Sequence, residues 1–145
     1  MERFPDAILE RLAEVREIEL ETLGRRTGLK RGATVWVVVD EAVPYVRSEF
    51  GDAGHWYRNA LEDRRVGLVI DGRRHEAIAI SVMDPAIWGR VSDAYRAKYR
   101  RSRSLDVMVR REVEPMTLAL DAGPARPGSD PLTGTPRQSS LDLVP

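Results

Sequence analysis

The sequence predicts a mainly β domain of the α+β class, a six-stranded antiparallel barrel with one helix ahead of the strands and two helices inserted among them. Three observations carry this expectation. Short apolar runs recur between turn-forming residues, the first with clear period-two alternation. The dipeptide Asp71-Gly72 stands between two such runs, the strongest short-range hairpin signal. Helical periodicity is confined to three segments, an order that suits a small barrel with helices plugging its openings rather than βαβ repeats or a helix bundle.

Each element follows from its residues. Asp6 is placed to cap a helix whose apolar face is Ile8, Leu9, Leu12 and Val15. Ile18, Leu20 and Leu23 then alternate with Glu17, Glu19 and Glu21, which predicts a strand with one wet face. Gly24 and Gly28 bracket a turn. Val35 to Val39 is apolar on both faces and reads as a central, buried strand. After a turn at Asp40-Glu41, Val43, Tyr45 and Val46 mark a third strand, with Pro44 tolerated near its start or at an edge. Residues 53–64 predict a short helix carrying Trp56 and Ala60 on one face and Tyr57 and Leu61 on the next. Val66 to Ile70 and Glu76 to Val82 form the hairpin. Asp84-Pro85 pairs a cap with an N1 proline, and Ile87, Trp88, Val91, Tyr95 and Tyr99 run down the helix that follows. Met116 to Leu120 closes as a strand. Beyond it the composition turns to Pro, Gly, Ser and Thr, so residues 1–122 are expected to form the domain and 123–145 a disordered tail.

With 145 residues the chain is long enough for one domain with a real core. It contains no cysteine, which excludes disulfides, thiolate metal sites and thiol nucleophiles, and His55 and His75 are too few for a histidine-built catalytic metal site, so no metal is expected. The charged N-terminus does not read as a signal peptide and no apolar run reaches the length of a membrane span, so a cytoplasmic location is expected. Net charge is zero but unevenly spread. Residues 1–21 hold seven acids against three arginines, residues 25–31 four bases, and residues 96–111 seven bases against Asp106 alone. A chain neutral overall is a poor general nucleic-acid binder, so the basic segments are either solvated faces or local anion sites.

The segment Gly24-Arg25-Arg26-Thr27-Gly28-Leu29-Lys30-Arg31 has the composition of an anion nest: two glycines let the backbone curl, and four cations and a hydroxyl surround it. A solvated basic turn is the plain alternative. Arg47 lies inside an apolar strand, where a charge needs either a salt bridge or a bound anion. Tyr95 and Tyr99 share one helical face four residues apart, as core packing or as a phenol able to donate a proton. Trp36 and Trp88 read as core.

In order along the chain, the strand, the Gly-Arg-Arg-Thr-Gly-x-x-Arg turn, the buried strand, Tyr45-Val46-Arg47-Ser48, Trp56-Tyr57-Arg58-Asn59 and Val66-Gly67-Leu68-Val69-Ile70 resemble the deazaflavin-dependent nitroreductase family. The Tyr-Val-Arg-Ser strand, the Asp93 to Tyr99 helix and Pro115-Met116-Thr117-Leu118 also look like an uncharacterised bacterial family of the same flavin-binding split β-barrel (pyridoxamine phosphate oxidase-like) superfamily. The resemblance spans roughly residues 16–100. It implies that Arg25, Arg26, Thr27, Lys30 and Arg31 hold the coenzyme's phosphate or acidic tail, with Trp56 and Asn59 bordering its ring. It also implies that tyrosines of the later helix, here Tyr95 and Tyr99, lie over the cofactor. The cofactor implied is the deazaflavin coenzyme F-420, with FMN second.

The expected function is therefore hydride transfer from a deazaflavin or flavin to a small electron-poor acceptor, such as a quinone, an enone or a nitro compound. The coenzyme carries the chemistry, and the protein supplies orientation, electrostatics and one proton. A binding or carrier protein for a flavin-like anionic ligand, or a dimeric scaffold without cofactor, would use the same residues. A homodimer is expected in either case. Nucleic-acid binding through residues 96–111 fits less well, since that run has no interleaved aromatic beyond Tyr99.

Overall fold

A computed structural model describes residues 1–123, apart from the side chain of Asp52. The expected disordered tail falls outside these residues except for Gly123. Seven strands form one antiparallel sheet in the order β2-β1-β5-β6-β7-β4-β3. They are β1 (Ile18–Leu23), β2 (Lys30–Val35), β3 (Val38–Asp40), β4 (Val43–Arg47), β5 (Arg65–Ile70), β6 (Arg73–Ser81) and β7 (Thr117–Asp121). The helices are α1 (Asp6–Glu14), α2 (His55–Glu62), α3 (Pro85–Lys98) and α4 (Leu105–Val109), with 3₁₀ turns at Gly51–Ala53 and Arg111–Met116.

The mainly β class with flanking helices holds, but there are seven strands rather than six. The Val35 to Val39 run accounts for the difference. Val35 ends β2, which pairs with β1; Val38 begins β3, which pairs with β4; Trp36 and Val37 lie between. The run is therefore not one central strand but the joint between the two end strands of the sheet. The three steps from Val35 to Val38 span at most about 11 Å of chain, so the sheet must curl until its ends meet, which makes the barrel. Val35, Val37 and Val38 are buried by that closure rather than by a strand on each side. The strand before the joint begins at Lys30, so Lys30 and Arg31 belong to β2, not to the turn.

The hairpin follows from its turn. Asp71 and Gly72 both have positive φ (52° and 78°), and Ile70 pairs with Arg73, the two-residue geometry whose twist matches the strands. The Glu41-Ala42 turn between β3 and β4 is built alike (φ 50° and 67°) without a glycine. Asp84 caps α3 by accepting from the Ala86 backbone N–H at 2.9 Å. Asp6 does not cap α1: Pro5 holds that position and Asp6 pairs with Arg3 at 2.5 Å. The α4 and Arg111–Met116 segments escape sequence periodicity because they are too short to show it.

Two apolar clusters share the β4–β7 wall. The first fills the barrel and includes Leu12 of α1, Leu20, Val46, Leu68 and Leu118, with Tyr57 and Ala60 of α2. The second lies under α3 and α4 and includes Val38, Tyr45, Ala119, Val91, Tyr95 and Tyr99. Alternate residues of β4 and β7 thus face different cores, and both strands are buried on both sides. Among the described residues no helix is long and apolar enough to cross a membrane.

Candidate functional site

The basic turn is closed by its own backbone. Gly24 N–H donates to the Leu29 carbonyl at 2.8 Å and Gly28 N–H to the Gly24 carbonyl at 2.9 Å, while Thr27 Oγ1 accepts from Leu29 N–H at 3.2 Å. Gly28 has φ +69°, a conformation that suits glycine. Those three N–H groups are spent inside the turn, so anion binding there rests on side chains. Arg25 leans back onto α2, donating to Asn59 Oδ1 at 2.8 Å and to the His55 carbonyl at 3.2 Å. Asn59 is buried and donates in turn to Thr22 Oγ1 of β1 at 3.1 Å. The chain Arg25–Asn59–Thr22 fixes the turn against the helix that carries Trp56. Arg26, Thr27, Lys30 and Arg31 are exposed, and the three cations among them have no hydrogen bond or ion pair among the described residues.

Near the end of the barrel where β1 begins and β2 and β4 finish, a cleft of about 270 Å³ opens. Arg16, Trp36, Arg47 and Trp56 border it, and Ser104 and Met108 bring in the α4 segment. Trp36 stacks on Tyr99 with ring centroids 3.9 Å apart and planes within 5°. The Arg16 guanidinium lies 5.6 Å from the Trp36 ring centroid and 5.9 Å from that of Tyr99, within cation–π range. A second hollow of about 280 Å³ on the outer sheet includes Lys30, but its arginines are already paired: Arg74 with Glu21 at 2.5 Å and with Glu76 at 3.2 Å, Arg65 with Asp63 at 2.6 Å.

Arg47 borders the cleft yet is 1% exposed. Its Nε donates to Thr117 Oγ1 (2.8 Å), its Nη1 to Ser92 Oγ (2.8 Å) and the Met108 carbonyl (2.9 Å), and its Nη2 to the Trp88 carbonyl (2.8 Å). Neither a salt bridge nor an open anion fork describes it: four of its five N–H groups hold β7, α3 and α4 together. Burial pulls its pKa down, opposed by Tyr95 and Glu114.

Tyr95 and Tyr99 do not border the cleft; they belong to the second core. Tyr95 is fully buried, its hydroxyl has no hydrogen-bond partner among the described residues, and burial pushes its pKa well up. The Tyr99 hydroxyl accepts from Val37 N–H at 3.2 Å and donates towards the Arg16 carbonyl at 2.7 Å, with the Val37 carbonyl at 3.1 Å; burial pushes its pKa up to about 12. Beside it, Lys98 Nζ donates to the Val37 and Leu12 carbonyls at 2.6 and 2.8 Å, and burial lowers it to about 8.

The fold thus brings Arg47 and Trp56 to one cleft, ties Arg25 and Asn59 into its support, leaves Arg26, Thr27, Lys30 and Arg31 on the surface, and sets Tyr95 and Tyr99 behind the Trp36 wall. Sequence reasoning missed Trp36, whose place in an apolar run looks like core, and Arg16, a surface residue with no motif around it. Ser104 and Met108 carried no local signal.

Solved structures share this fold at low identity, which speaks to the fold alone. HutZ, the heme storage protein of Vibrio cholerae, aligns at 16% identity and TM-score 0.60 over 82% of this chain and 89% of its own. An F420-H2 dependent reductase (FDR-A) aligns at 15% and 0.55 over 73% and 94%. A protein of unknown function from Agrobacterium tumefaciens aligns at 14% and 0.60 over 80% of this chain, which spans about half (54%) of that longer one. The fold is the α+β split barrel. No curated protein matches the sequence. Residues 8–120 match the model of a family described as an uncharacterized protein conserved in bacteria, and the chain belongs to that family, DUF2255.

Proposed function

We propose that the protein binds a planar, phosphate-bearing coenzyme, deazaflavin F-420 or else FMN, and uses it to reduce a small electron-poor acceptor such as a quinone, an enone or a nitro compound. The observation that carries this reading is the link between the two halves of the site. Uncommitted cations on the basic turn and the start of β2 are joined through Arg25 and Asn59 to the helix that brings Trp56 to the cleft. The use of the same fold by an F420-H2 dependent reductase supports it.

The residues fit such a group in a divided way. At about 270 Å³ the cleft falls just below the usual range of ligand-pocket volumes, about 300 to 1,000 Å³, so it does not enclose ring and tail together. Arg26, Thr27, Lys30 and Arg31 would hold the phosphate on the surface, as planar guanidinium donors suit it. Trp56 would border the ring at the cleft mouth, leaving the space beside Trp36 to the acceptor, and Asn59 and Arg25 act by holding α2 and the turn. When bound, the coenzyme supplies the hydride. Arg47 keeps the cleft wall in place through α4. Tyr99 acts from behind by fixing Trp36, and with both phenols buried the acceptor's proton comes from water at the cleft mouth.

Titration of the purified protein with F-420 and with FMN, followed by fluorescence, tests this. Saturable binding of one coenzyme, lost in Arg26→Ala/Arg31→Ala, is expected, and the bound reduced coenzyme should be oxidised by added quinone faster than the free one. Binding without that acceleration would identify a carrier. No binding of either coenzyme would overturn the reading. The proposal includes a homodimer covering exposed Leu29 and Phe50 (63% and 71% accessible), to be read by sedimentation velocity.

A further inference from the structure

The hydrogen bonds of Arg47 satisfy its geometry but not its charge. All four acceptors are neutral, two hydroxyls and two carbonyls. Among the described residues no carboxylate lies within ion-pair distance; the Glu114 carboxylate reaches only Ser92 Oγ, at 3.4 Å. A guanidinium does not shed its proton to escape burial, so a full positive charge stands at 1% exposure among neutral acceptors and the Tyr95 ring, whose centroid is 5.4 Å from the guanidinium. One Nη2 proton has no acceptor among the described residues.

A second cation converges on the same cleft. Arg16 is held over the Trp36–Tyr99 stack, and its guanidinium makes no hydrogen bond or ion pair among the described residues. Two acids also border the cleft, Glu17 and Glu49; both are exposed, as Arg16 is, while Arg47 is buried. Water and salt screen the three exposed charges far more than the buried guanidinium. The inner end of the cleft, at Arg47, is therefore positive, and the cleft's volume suits a single-ring molecule.

We infer that the ligand this cleft selects, the acceptor of the proposed function, is a small planar acid, its carboxylate received between Arg47 and Arg16 and its ring lying against Trp36 and Trp56. With four of its five N–H groups taken, Arg47 offers a carboxylate its charge and one Nη2 N–H, while the Arg16 guanidinium is the open fork that matches the two oxygens. A neutral molecule of the same shape leaves both cations as they are. The inference rests on the proposed function only for the fate of the ligand; recognition needs no coenzyme.

The test compares 4-nitrobenzoate with its methyl ester on the full chain, by calorimetry and by the indole N–H signals in a ¹H–¹⁵N spectrum. Trp36 and Trp56 border the cleft, whereas the Trp88 indole N–H is bound to the Val82 carbonyl at 2.7 Å and serves as control. The acid is expected to bind at least about tenfold more tightly than the ester, the scale of a charge-assisted hydrogen bond, shifting Trp36 and Trp56 but not Trp88. Arg16→Ala should remove roughly that tenfold for the acid and leave the ester unchanged, and Arg16→Lys should restore part of it. Equal affinity for acid and ester, shifts confined to other residues, or an unchanged acid affinity in Arg16→Ala would each overturn the inference. Arg16 carries the test because Arg47 also holds the fold together. If the acid binds and neither F-420 nor FMN does, the reductase reading alone fails; if a coenzyme binds and acid and ester are equal, this inference alone fails.

Discussion

At the scale of single residues, the charges that burial perturbs make the pH dependence of stability predictable. Lys98 is held down to about 8 from an ordinary 10.5. Between those values the unfolded chain binds the proton that the folded chain has lost, so stability rises with pH across that window. Tyr99 is pushed the other way, from 10 up to about 12, and Tyr95 and Tyr45 are also raised. Above pH 10 the unfolded tyrosines ionise while the folded ones do not, and stability falls. Thermal melts should therefore show a rise from pH 8 towards 10 and a decline beyond it. Lys98→Met should flatten the rise and Tyr99→Phe should soften the decline. A profile unchanged in both variants would show that these two groups do not titrate differently in the folded state. Arg47→Met is expected to cost about 3 kcal/mol or more in urea unfolding, because it strands buried acceptors on three elements at once.

At the scale of elements, the two hairpin turns use the same backbone with different chemistry. Asp71-Gly72 places a glycine at the second left-handed position; Glu41-Ala42 places side chains at both. Each non-glycine residue there carries a steric cost of roughly 1 kcal/mol. Glu41 is exposed, and its ion pair with Arg90, 3.6 Å long with side chains 43% and 74% accessible, adds little. Glu41→Gly should accordingly raise stability by about 0.5 kcal/mol, and Gly72→Ala, at φ 78°, should lower it by about 1 kcal/mol or more. A loss of stability in Glu41→Gly, or none in Gly72→Ala, would mean that the two turns differ in more than their glycine. The α4 segment poses a different question. It is five residues long, it supplies Met108 to the cleft, and the Arg47 bond to the Met108 carbonyl ties it to the barrel. Arg47→Met should thus raise amide exchange across residues 105–109 more than across β1 or β5.

At the scale of the whole molecule, the cleft exists because the sheet closes on itself at Trp36-Val37. Closure brings the start of β1, the end of β2 and the end of β4 together, and α2 and α4 then wall the opening. In the proposed function, coenzyme binding and ligand selection are therefore separable. Arg26→Ala/Arg31→Ala touches only exposed residues, so it should leave the melting temperature within about 2 °C of wild type while abolishing coenzyme binding. A variant that instead unfolds would mean that the turn organises the fold as well as the site.

Much of this architecture is legible along the chain. Ile18, Leu20 and the intervening glutamates dictate a half-wet strand, Asp71-Gly72 dictates a hairpin, and Asp84-Pro85 dictates the start of α3, because each signal is a local steric or hydrogen-bonding preference. The basic turn and its glycines are equally local. Which residues meet was decided only by tertiary structure. The Val35 to Val39 run has the composition of a central strand, and only curling of the sheet makes it a joint. Arg47 reads as a charge in need of a partner, but its partners come from residues 88, 92, 108 and 117, far away in sequence. Tyr95 and Tyr99 have the spacing of a shared face, and packing against Trp36 and β3 sets that face towards a core rather than the cleft. Local preferences act over a few residues, whereas a cleft is the place where distant segments stop short of one another.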